Sequence, residues 1–449
     1  MSKQRIQLSD HFTYSRLLRF VLPCIGTMLF TSIYGIVDGL CVSNFVGKTA
    51  FAAVNLIMPL PMLLGTIGFM LGTGGSAIVG ITLGEGDQKK ADRYFTLFLL
   101  AALVSVSVLA VLGIVFLRPI AVLLGAKGEL LDYAVRYGRI LMVSLPTFAL
   151  QNMFQSFFVT AEKPHLGFWF TVGAGCTNMV LDVLMVGIWG WGVEGAAIAT
   201  FISQLVGGVL PVFYFIDRSN SSRLHLCKTS FYSKVLRDAC INGSSELMTN
   251  LSMSLVNILY NYQLLRLAGE NGVAAYGVIM YAAFLFVAVF VGYAVGSAPI
   301  VSCHYGARNH AEVHNLYRKS LRLIAVVAVT LTLASMFIIP CVARIFVGYD
   351  AELLALTSRA FRLYALSFLI MGFNVYASSF FTALGDGVTS ALISFLRTLA
   401  FQVIAILLLP LLLGIDGIWL AVTAAELAAL AVSAAMLLTK DKVFHYRKA

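Results

Sequence analysis

Charged residues are scarce in this chain of 449 amino acids. Asp, Glu, Lys and Arg together make up 12% of it, against about 25% in soluble domains. Hydrophobic residues make up 59%, and the mean hydropathy is +0.89. So little charge is not enough to solvate the surface of a soluble protein, and the composition predicts an all-α polytopic membrane protein.

Motifs for catalysis and metal binding are also missing. Neither HExxH nor GxSxG occurs, which disfavours a membrane-embedded enzyme. The seven cysteines show no CxxC or Cys/His spacing, so neither a disulfide framework nor a zinc site is predicted. The histidines, including His304, His310 and His314, fall mostly in tails and loops, where solvated positions are usual. No cofactor is expected, and a channel is disfavoured because no filter-like loop is recognisable.

Long apolar runs dominate the chain, and twelve of them are predicted to span a bilayer. The predicted spans are 17–43, 51–83, 94–117, 132–160, 166–189, 193–216, 235–266, 273–305, 316–340, 353–383, 388–413 and 416–438. The first run is too long for a signal peptide and is expected to remain as a span.

The distribution of positive charge predicts the orientation. If the amino terminus is cytoplasmic, that side collects 21 of the 31 Lys and Arg residues, against 9 on the other side, with Arg397 inside a span. The positive-inside rule then puts both termini in the cytoplasm of a multi-pass plasma (inner) membrane protein. The net charge of +10 therefore reflects the orientation of the protein in the membrane. We expect its basic residues to contact anionic lipid headgroups rather than nucleic acid.

The two halves of the chain are related by a constant shift of 222 residues. This shift carries Gly84 onto Gly306 and Asn152 onto Asn374, with further matches in most spans. We predict a 1–16 tail, a first six-span lobe at 17–216, a 217–233 linker, a second lobe at 234–438 and a 439–449 tail. Because six is even, the lobes are related by a pseudo-twofold axis along the membrane normal around a central cleft, as in parallel-repeat transporters. A duplicated scaffold without a path is the alternative.

Two acids lie within predicted spans of the first half. Asp182 is deep in the fifth span, and Asn178 precedes it by four residues, so both share one helix face. Asp38 lies in the first span. A charge near the bilayer centre costs about 2.5 to 3.5 kcal/mol on insertion scales, which favours a role in an ion path. Hydrogen bonding of Asp182 to a neighbouring helix is the structural alternative.

The seventh span carries a polar stripe at helical spacing: Glu246, Asn250, Ser254, Asn257 and Asn261. We expect it to face water or a cavity, although a ladder of helix–helix hydrogen bonds is an alternative. Glu426 in the twelfth span corresponds to Gln204 in the repeat, and the sequence does not decide between a structural and a functional role for it.

Several segments together resemble the MATE family of multidrug and toxic compound extrusion transporters, in particular its MepA-type branch. They are IVDGLCVSNFVGKTAFAAVN, GFMLGTGGSAIVGITLGEGD, TNMVLDVLMV and GSSELMTNLSMSLVN. The resemblance covers all twelve spans. It implies an antiporter that exports amphipathic, often cationic drugs in exchange for H⁺ or Na⁺ and that functions as a monomer.

The resemblance also implies a coupling site in the first lobe. Asp38, Asn178, Asp182 and Thr200 would bind the proton, or Na⁺ as metal ligands, with Tyr137, Asn152 and Gln155 nearby. In the second lobe Glu246, Asn250, Asn257 and Asn374 would form the polar face toward the substrate. Several family members have an acid in the tenth span, where this chain has Asn374, so the first lobe is the better candidate for coupling.

Aromatic and methionine side chains are expected to hold the cationic substrate through cation–π and dispersion contacts. The candidates are Met58, Phe154, Met280 and Tyr281. A lipid-linked precursor flippase of the same superfamily is the alternative function, disfavoured because Arg397 is the one plainly buried basic residue. The sequence leaves open the substrates, the coupling ion, the resting state and the oligomeric state.

Overall fold

The computed structural model describes residues 6–46, 48–348 and 350–447, and within them the regular structure is entirely helical. Nine helices are long and apolar enough to cross a membrane in this part of the chain, or ten if the pair Ala351–Ala365 and Phe368–Ala383, bent by 46°, forms one span. Glu129–Thr160 adds a further helix of 32 residues. Ser244–Gly306 has 63 residues, or about 95 Å of helix, and supplies two spans. The molecule therefore has twelve transmembrane helices.

The first lobe contains six spans, several of them interrupted. They are α1 (Tyr14–Phe45), α2 (Lys48–Ile57 and Pro59–Gly84), α3 (Gln88–Leu123), α4 (Glu129–Thr160), α5 (Pro164–Asp182, continued as a π-helix at Val183–Ile188) and α6 (Gly192–Gly208 and Leu210–Ile216). Span α2 breaks at Met58 and restarts at Pro59, a residue that is tolerated in the first turn of a helix.

The second lobe repeats this order. Its spans are α7 (Ser233–Asn242, then 244–268), α8 (270–306), α9 (His310–Val347), α10 (Ala351–Ala365 and Phe368–Ala383), α11 (Gly387–Phe395, a π-helix at Leu396–Ala400, and Phe401–Leu413) and α12 (Ile415–Thr439). Gly269, with φ of 62° and ψ of −151°, separates α7 from α8, a conformation that glycine adopts without a Cβ clash. A short helix, Asp441–Phe444, follows α12.

The outer surface is apolar, as a lipid-facing surface must be. On α3, Val104, Val108, Val111 and Val115 recur at helical spacing, and each is more than half exposed. The interior of the first lobe is packed with aromatic rings instead, and Phe215 contacts both Phe95 and Phe154.

The two lobes pack against each other toward the end of the bundle where both termini lie. There Gly84 of α2 faces the carbonyl of Cys303, and its repeat mate Gly306 of α8 faces the carbonyl of Ile81. A Cβ at either glycine would overlap the opposite main chain, so both positions need glycine for this close approach. Residues 21–25 of α1 also contact α8, at Gly292 and Gly296.

An amino-terminal strap, residues 6–13, crosses from one lobe to the other at this end. Its Leu8 N–H donates to Glu162 Oε1 of the first lobe at 2.9 Å, and its Phe12 N–H donates to Glu312 Oε1 of the second lobe at 2.8 Å. His11 Nδ1 lies 2.6 Å from Glu312 Oε2. The strap therefore bridges the lobes through two buried carboxylates.

The expectation that the histidines are mostly solvated is wrong for His304. This ring is buried, with Nε2 3.2 Å from the Asp10 carbonyl of the strap and an edge-on contact to Phe12. The error arose because His304 lies near the end of α8, where a sequence pattern cannot show that another segment covers it. Residues 1–5, 448 and 449 of the expected tails lie outside the described residues.

The segment between the lobes follows the first lobe. Arg223 Nη1 lies 2.6 Å from Glu162 Oε1, the His225 N–H donates to Asp92 Oδ1, and the Cys227 N–H donates to Thr96 Oγ1. Glu162 therefore binds both the strap and this linker.

Candidate functional site

The carboxyl groups of Asp38 on α1 and Asp182 on α5 are close enough to interact electrostatically inside the first lobe. The helices approach closely because Gly175, seven residues before Asp182, leaves room for Phe30 and Tyr34 of α1. Two neighbouring carboxylates repel one another in a low-dielectric interior, and a proton or a cation bound to the pair relieves that repulsion.

The protein supplies almost no donors to this pair. Both oxygens of Asp182 and Oδ1 of Asp38 are buried without a hydrogen-bond partner among the described residues. The amide nitrogen of Asn178 and the hydroxyl of Thr31 are buried and unpartnered there as well. Buried polar groups are normally paired, so the cluster is built to interact with something that the chain itself does not provide.

The backbone changes character at Asp182. This residue ends the α-helical part of α5, and a π-helical stretch from Val183 to Ile188 begins directly after it. Isolated π-helical turns are uncommon and are frequent at functional sites. Asn178 lies one turn earlier and is 2% exposed, whereas Thr200 lies on α6, which packs against α5.

The remaining first-lobe candidates are at different distances from the pair. Tyr137 on α4 is buried and close enough for electrostatic interaction with both Asp38 and Asp182. Asn152 is buried further along α4, with its amide nitrogen unpartnered among the described residues. Gln155 faces a small gap beside Cys24, Thr27 and Met28 of α1. The structure therefore brings Tyr137 to the pair, whereas Gln155 lies beside a part of α1 at least ten residues before Asp38.

A cavity of about 500 Å³ opens between the lobes. Its first-lobe wall is uncharged and consists of Met62, Leu63, Thr73, Ser76 and Ser156. The second lobe provides most of the wall, including Tyr260, Tyr276, Met280, Phe284 and Tyr364. Aromatic and methionine surfaces with a few polar groups are typical of sites for drug-sized apolar molecules.

The polar stripe of α7 faces this cavity, as the sequence predicts. Glu246, Asn250, Ser254 and Asn257 line it, whereas Asn261 hydrogen-bonds to Asn257 beyond it. The Asn250 amide donates to the Glu246 carbonyl within the same helix. The stripe is therefore a cavity wall, and its hydrogen bonds in this region lie within α7.

Asn374 lies behind the cavity wall and not on it. Its amide donates to Glu426 Oε2 at 2.7 Å, and its carbonyl accepts from Ser433 at 2.9 Å. Glu426 Oε1 accepts from Arg397 Nε at 2.8 Å, and both Arg397 and Glu426 line the cavity. The placement of Asn374 at the substrate face therefore needs correction: its side chain positions Glu426, which reaches the cavity.

The expected hydrophobic contacts are mostly elsewhere. Met280 lines the cavity, but Phe154 packs inside the first lobe against Phe158 and Phe215. Met58 packs in a separate apolar cluster of the first lobe, and Tyr281 lies beside Met280 with 43% of its surface exposed. The sequence pattern did not separate core rings from cavity rings, because both lie on apolar helix faces.

The ion pair of Arg397 with Glu426 did not follow from sequence reasoning. A signal was present, because opposite charges within two consecutive apolar spans of one lobe seldom remain unpaired. Within the described residues, no group of three or more His, Cys, Asp or Glu side chains is arranged to bind a metal ion.

Comparison with known proteins agrees with this architecture. The family model MatE matches twice, at residues 23–184 and 247–408. The multidrug export protein MepA of Staphylococcus saprophyticus is 21% identical over 436 residues, covering 96% of this chain and 95% of that protein. MepA of Staphylococcus aureus is 22% identical over 433 residues, with the same coverage.

Solved structures show the same fold. The outward-facing conformation of a multidrug resistance MATE family transporter of the MOP superfamily matches with a TM-score of 0.91 at 22% identity, covering all of both chains. A MOP superfamily transporter from Pyrococcus furiosus, described as having a binding pocket of reverse polarity, matches with a TM-score of 0.90 at 23% identity and the same coverage.

Proposed function

This chain belongs to the MatE family, the multidrug and toxic compound extrusion transporters, and we propose that it exports amphipathic, often cationic compounds in exchange for protons. The observation that carries the proposal is the proximity of Asp38 and Asp182, which have three buried carboxyl oxygens without a donor in the described chain. A pair of this kind binds one proton readily and loses it when the compartment it faces becomes more alkaline.

The proton and the drug bind at separate places. Asp38 and Asp182 lie within the first lobe, whereas the charged lining residues of the cavity, Glu246, Arg397 and Glu426, all belong to the second lobe. A cationic substrate would occupy the cavity with its charge near Glu246 and its apolar part against the aromatic wall. Coupling must therefore pass through the protein.

Helix α1 is the physical connection that we propose. It carries Asp38 near one end, and its residues 21–25 contact Gly292 and Gly296 of α8 in the other lobe. Protonation changes the attraction between Asp38 and Asp182, so it shifts α1 relative to α5. Because α1 also packs on α8, that shift alters how the two lobes fit together.

Alternating access would follow from rocking of the lobes, which we take as residues 17–216 and 234–438. With both termini in the cytoplasm, the close contacts of Gly84 and Gly306 seal the cytoplasmic side, so this conformation opens outward. The linker at 217–233 and both tails are then cytoplasmic, and one protomer contains a full cavity. We propose the plasma membrane as the location, with the lipid bilayer as the surrounding partner.

Sodium is the alternative coupling ion. Asp38, Asp182, Asn178 and Thr200 together offer carboxylate, amide and hydroxyl oxygens, which suit a hard cation. We favour the proton, because two neighbouring buried carboxyl groups share one proton readily. A lipid-linked pyrophosphate is a poorer fit to the cavity, because its described lining residues include two acids, Glu246 and Glu426, and a single base, Arg397.

The test is export of ethidium by purified protein in liposomes under one gradient at a time. A proton gradient with the liposome interior acidic, without sodium, is expected to drive accumulation of ethidium inside against its concentration gradient, and a sodium gradient at equal pH is not. Accumulation under sodium alone would replace the proton by sodium, and failure under both gradients would refute coupled export.

A further inference from the structure

The residues that line the central cavity include a basic side chain as well as acidic ones. An exporter of simple cations needs the acidic residues but not the basic one. Among its lining residues, Glu246 and Glu426 are acidic and Arg397 is basic, and all three belong to the second lobe. Glu426 is held by Arg397 and by Asn374. Glu246 has no such ion pair among the described residues, although it is close enough to Arg397 for electrostatic interaction.

Arg397 reaches the cavity with part of its guanidinium unused. Its Nε donates to Glu426 Oε1 at 2.8 Å, while its terminal nitrogens make no hydrogen bond to any described residue. The Arg397 side chain is 13% exposed, whereas Glu426 is 1% exposed, so the arginine is on the cavity side of the pair. A guanidinium has five N–H donors in a planar fork, and most of them remain available here.

The backbone supports this presentation of Arg397. The residue lies in the π-helical stretch Leu396–Ala400 of α11, and the equivalent span of the first lobe, α5, contains its own π-helical stretch beside Asp182. Behind the arginine, Glu426 is fixed by Asn374, which is in turn fixed by Ser433. These hydrogen bonds fix the Nε edge of the Arg397 guanidinium, so that its terminal nitrogens face the cavity.

We propose that Arg397 is a specificity-determining residue that binds the carboxylate of zwitterionic amphiphiles, while Glu246 binds their cationic group. The proposal rests on the proposed export function and deepens it by naming the residue that recognises the carboxylate of such a substrate. A carboxylate is the natural ligand of a guanidinium fork, which pairs with it through two parallel N–H bonds. Substrates that carry both charges would then neutralise both sides of the cavity, whereas a simple cation would use Glu246 alone.

The experiment compares two dyes that differ in one group. Tetramethylrhodamine is a zwitterion with a free carboxylate, and its methyl ester is a cation with the same ring system. Their dissociation constants are measured by fluorescence anisotropy on the purified full-length protein. The variant is Arg397→Gln combined with Glu426→Gln, which avoids leaving a buried charge unpaired and retains hydrogen-bonding groups. A thermal melt checks that it folds.

The matched control removes an ion pair outside the cavity. Arg359 and Asp416 are paired at a helix end and are not among the lining residues, so Arg359→Gln with Asp416→Asn makes the same chemical change elsewhere. This control should leave the ratio of the two dissociation constants unchanged.

The expected result is that the cavity variant loses at least about tenfold in affinity for the zwitterion relative to the ester, the scale of one charge-assisted hydrogen bond. A ratio within about twofold of the wild type would overturn the carboxylate subsite while leaving export intact. Failure of the wild-type protein to bind either dye would refute the proposed function itself, and the subsite with it.

Discussion

Replacing Asp38 or Asp182 by asparagine should uncouple transport without unfolding the protein. The two carboxyl groups are neighbours and lack donors in the described chain, so an amide at either position can supply an N–H to the remaining carboxylate. A hydrogen bond to a charged group contributes about 1.5 to 3 kcal/mol, which means that each variant should fold at least as well as the wild type. What it loses is a proton-binding site.

The size of the effect follows from the driving force. A difference of one pH unit is worth about 1.36 kcal/mol, or a tenfold ratio of concentrations for one proton exchanged per monovalent cation. In liposomes with the membrane potential clamped at zero by valinomycin and equal potassium, the wild type should accumulate ethidium about tenfold. Asp38→Asn and Asp182→Asn should reach a ratio near one, although dye can still move down its gradient.

Glu194→Gln is the matched control, since Glu194 is a half-exposed acid of the same lobe that pairs with Arg136 at 3.5 Å. It should accumulate ethidium like the wild type. If Asp38→Asn or Asp182→Asn also reached a tenfold ratio, the shared-proton mechanism would be wrong.

Three further changes test the closure of the lobes and the second-lobe ion pair. Gly84→Leu should force the lobes apart, because the leucine side chain would overlap the Cys303 carbonyl. In a variant whose other cysteines are replaced by serine, the buried Cys303 should then react faster with maleimide. Glu312→Gln should weaken a buried acceptor of several hydrogen bonds, lowering the free energy of unfolding by about 1 to 3 kcal/mol and speeding proteolysis of the strap. Glu426→Leu should cost about 3 to 5 kcal/mol by leaving Arg397 buried and unpaired, seen as a lower melting temperature.

Helix number and repeat are predictable from this sequence because they depend on the length of apolar runs. A span needs about 20 apolar residues, and each predicted run corresponds to a helix or to a broken helix of the structure. The breaks were harder to place. Pro59 marks one of them, but the two π-helical stretches follow no residue type and were not predicted.

The sequence identifies the site residues whose charge has no neighbour to neutralise it. It does not identify those whose charge is neutralised by a residue distant in sequence. Asp38 and Asp182 stand out because nothing near them in sequence neutralises them, and their role stays a prediction. Glu426 was ambiguous because its partner Arg397 lies 29 residues away on another helix. Repeat symmetry did not help, since the first lobe has Gln204 in place of Glu426.

Comparison of the repeat mates shows how the lobes differ. In the second lobe Asn374 donates to Glu426. The corresponding residues of the first lobe are Asn152 and Gln204. Among the described residues, the buried amide nitrogen of Asn152 and the buried side-chain oxygen of Gln204 have no hydrogen-bond partner. The same helix arrangement therefore holds a hydrogen-bonded acid, Glu426, in the second lobe and two uncharged amide side chains in the first.

The hydrogen bonds of the amino-terminal strap determine with which lobe the amino terminus moves. It makes one hydrogen bond to Glu162 but is bound on the other side by Glu312, by Lys319 through the Phe12 carbonyl, and by His304. When the bundle reopens at that end, the weaker attachment should detach first. A fluorophore attached at Gln7 would then travel with helices encoded some 300 residues downstream, and distance measurements from an amino-terminal tag would report on the opposite half of the transporter.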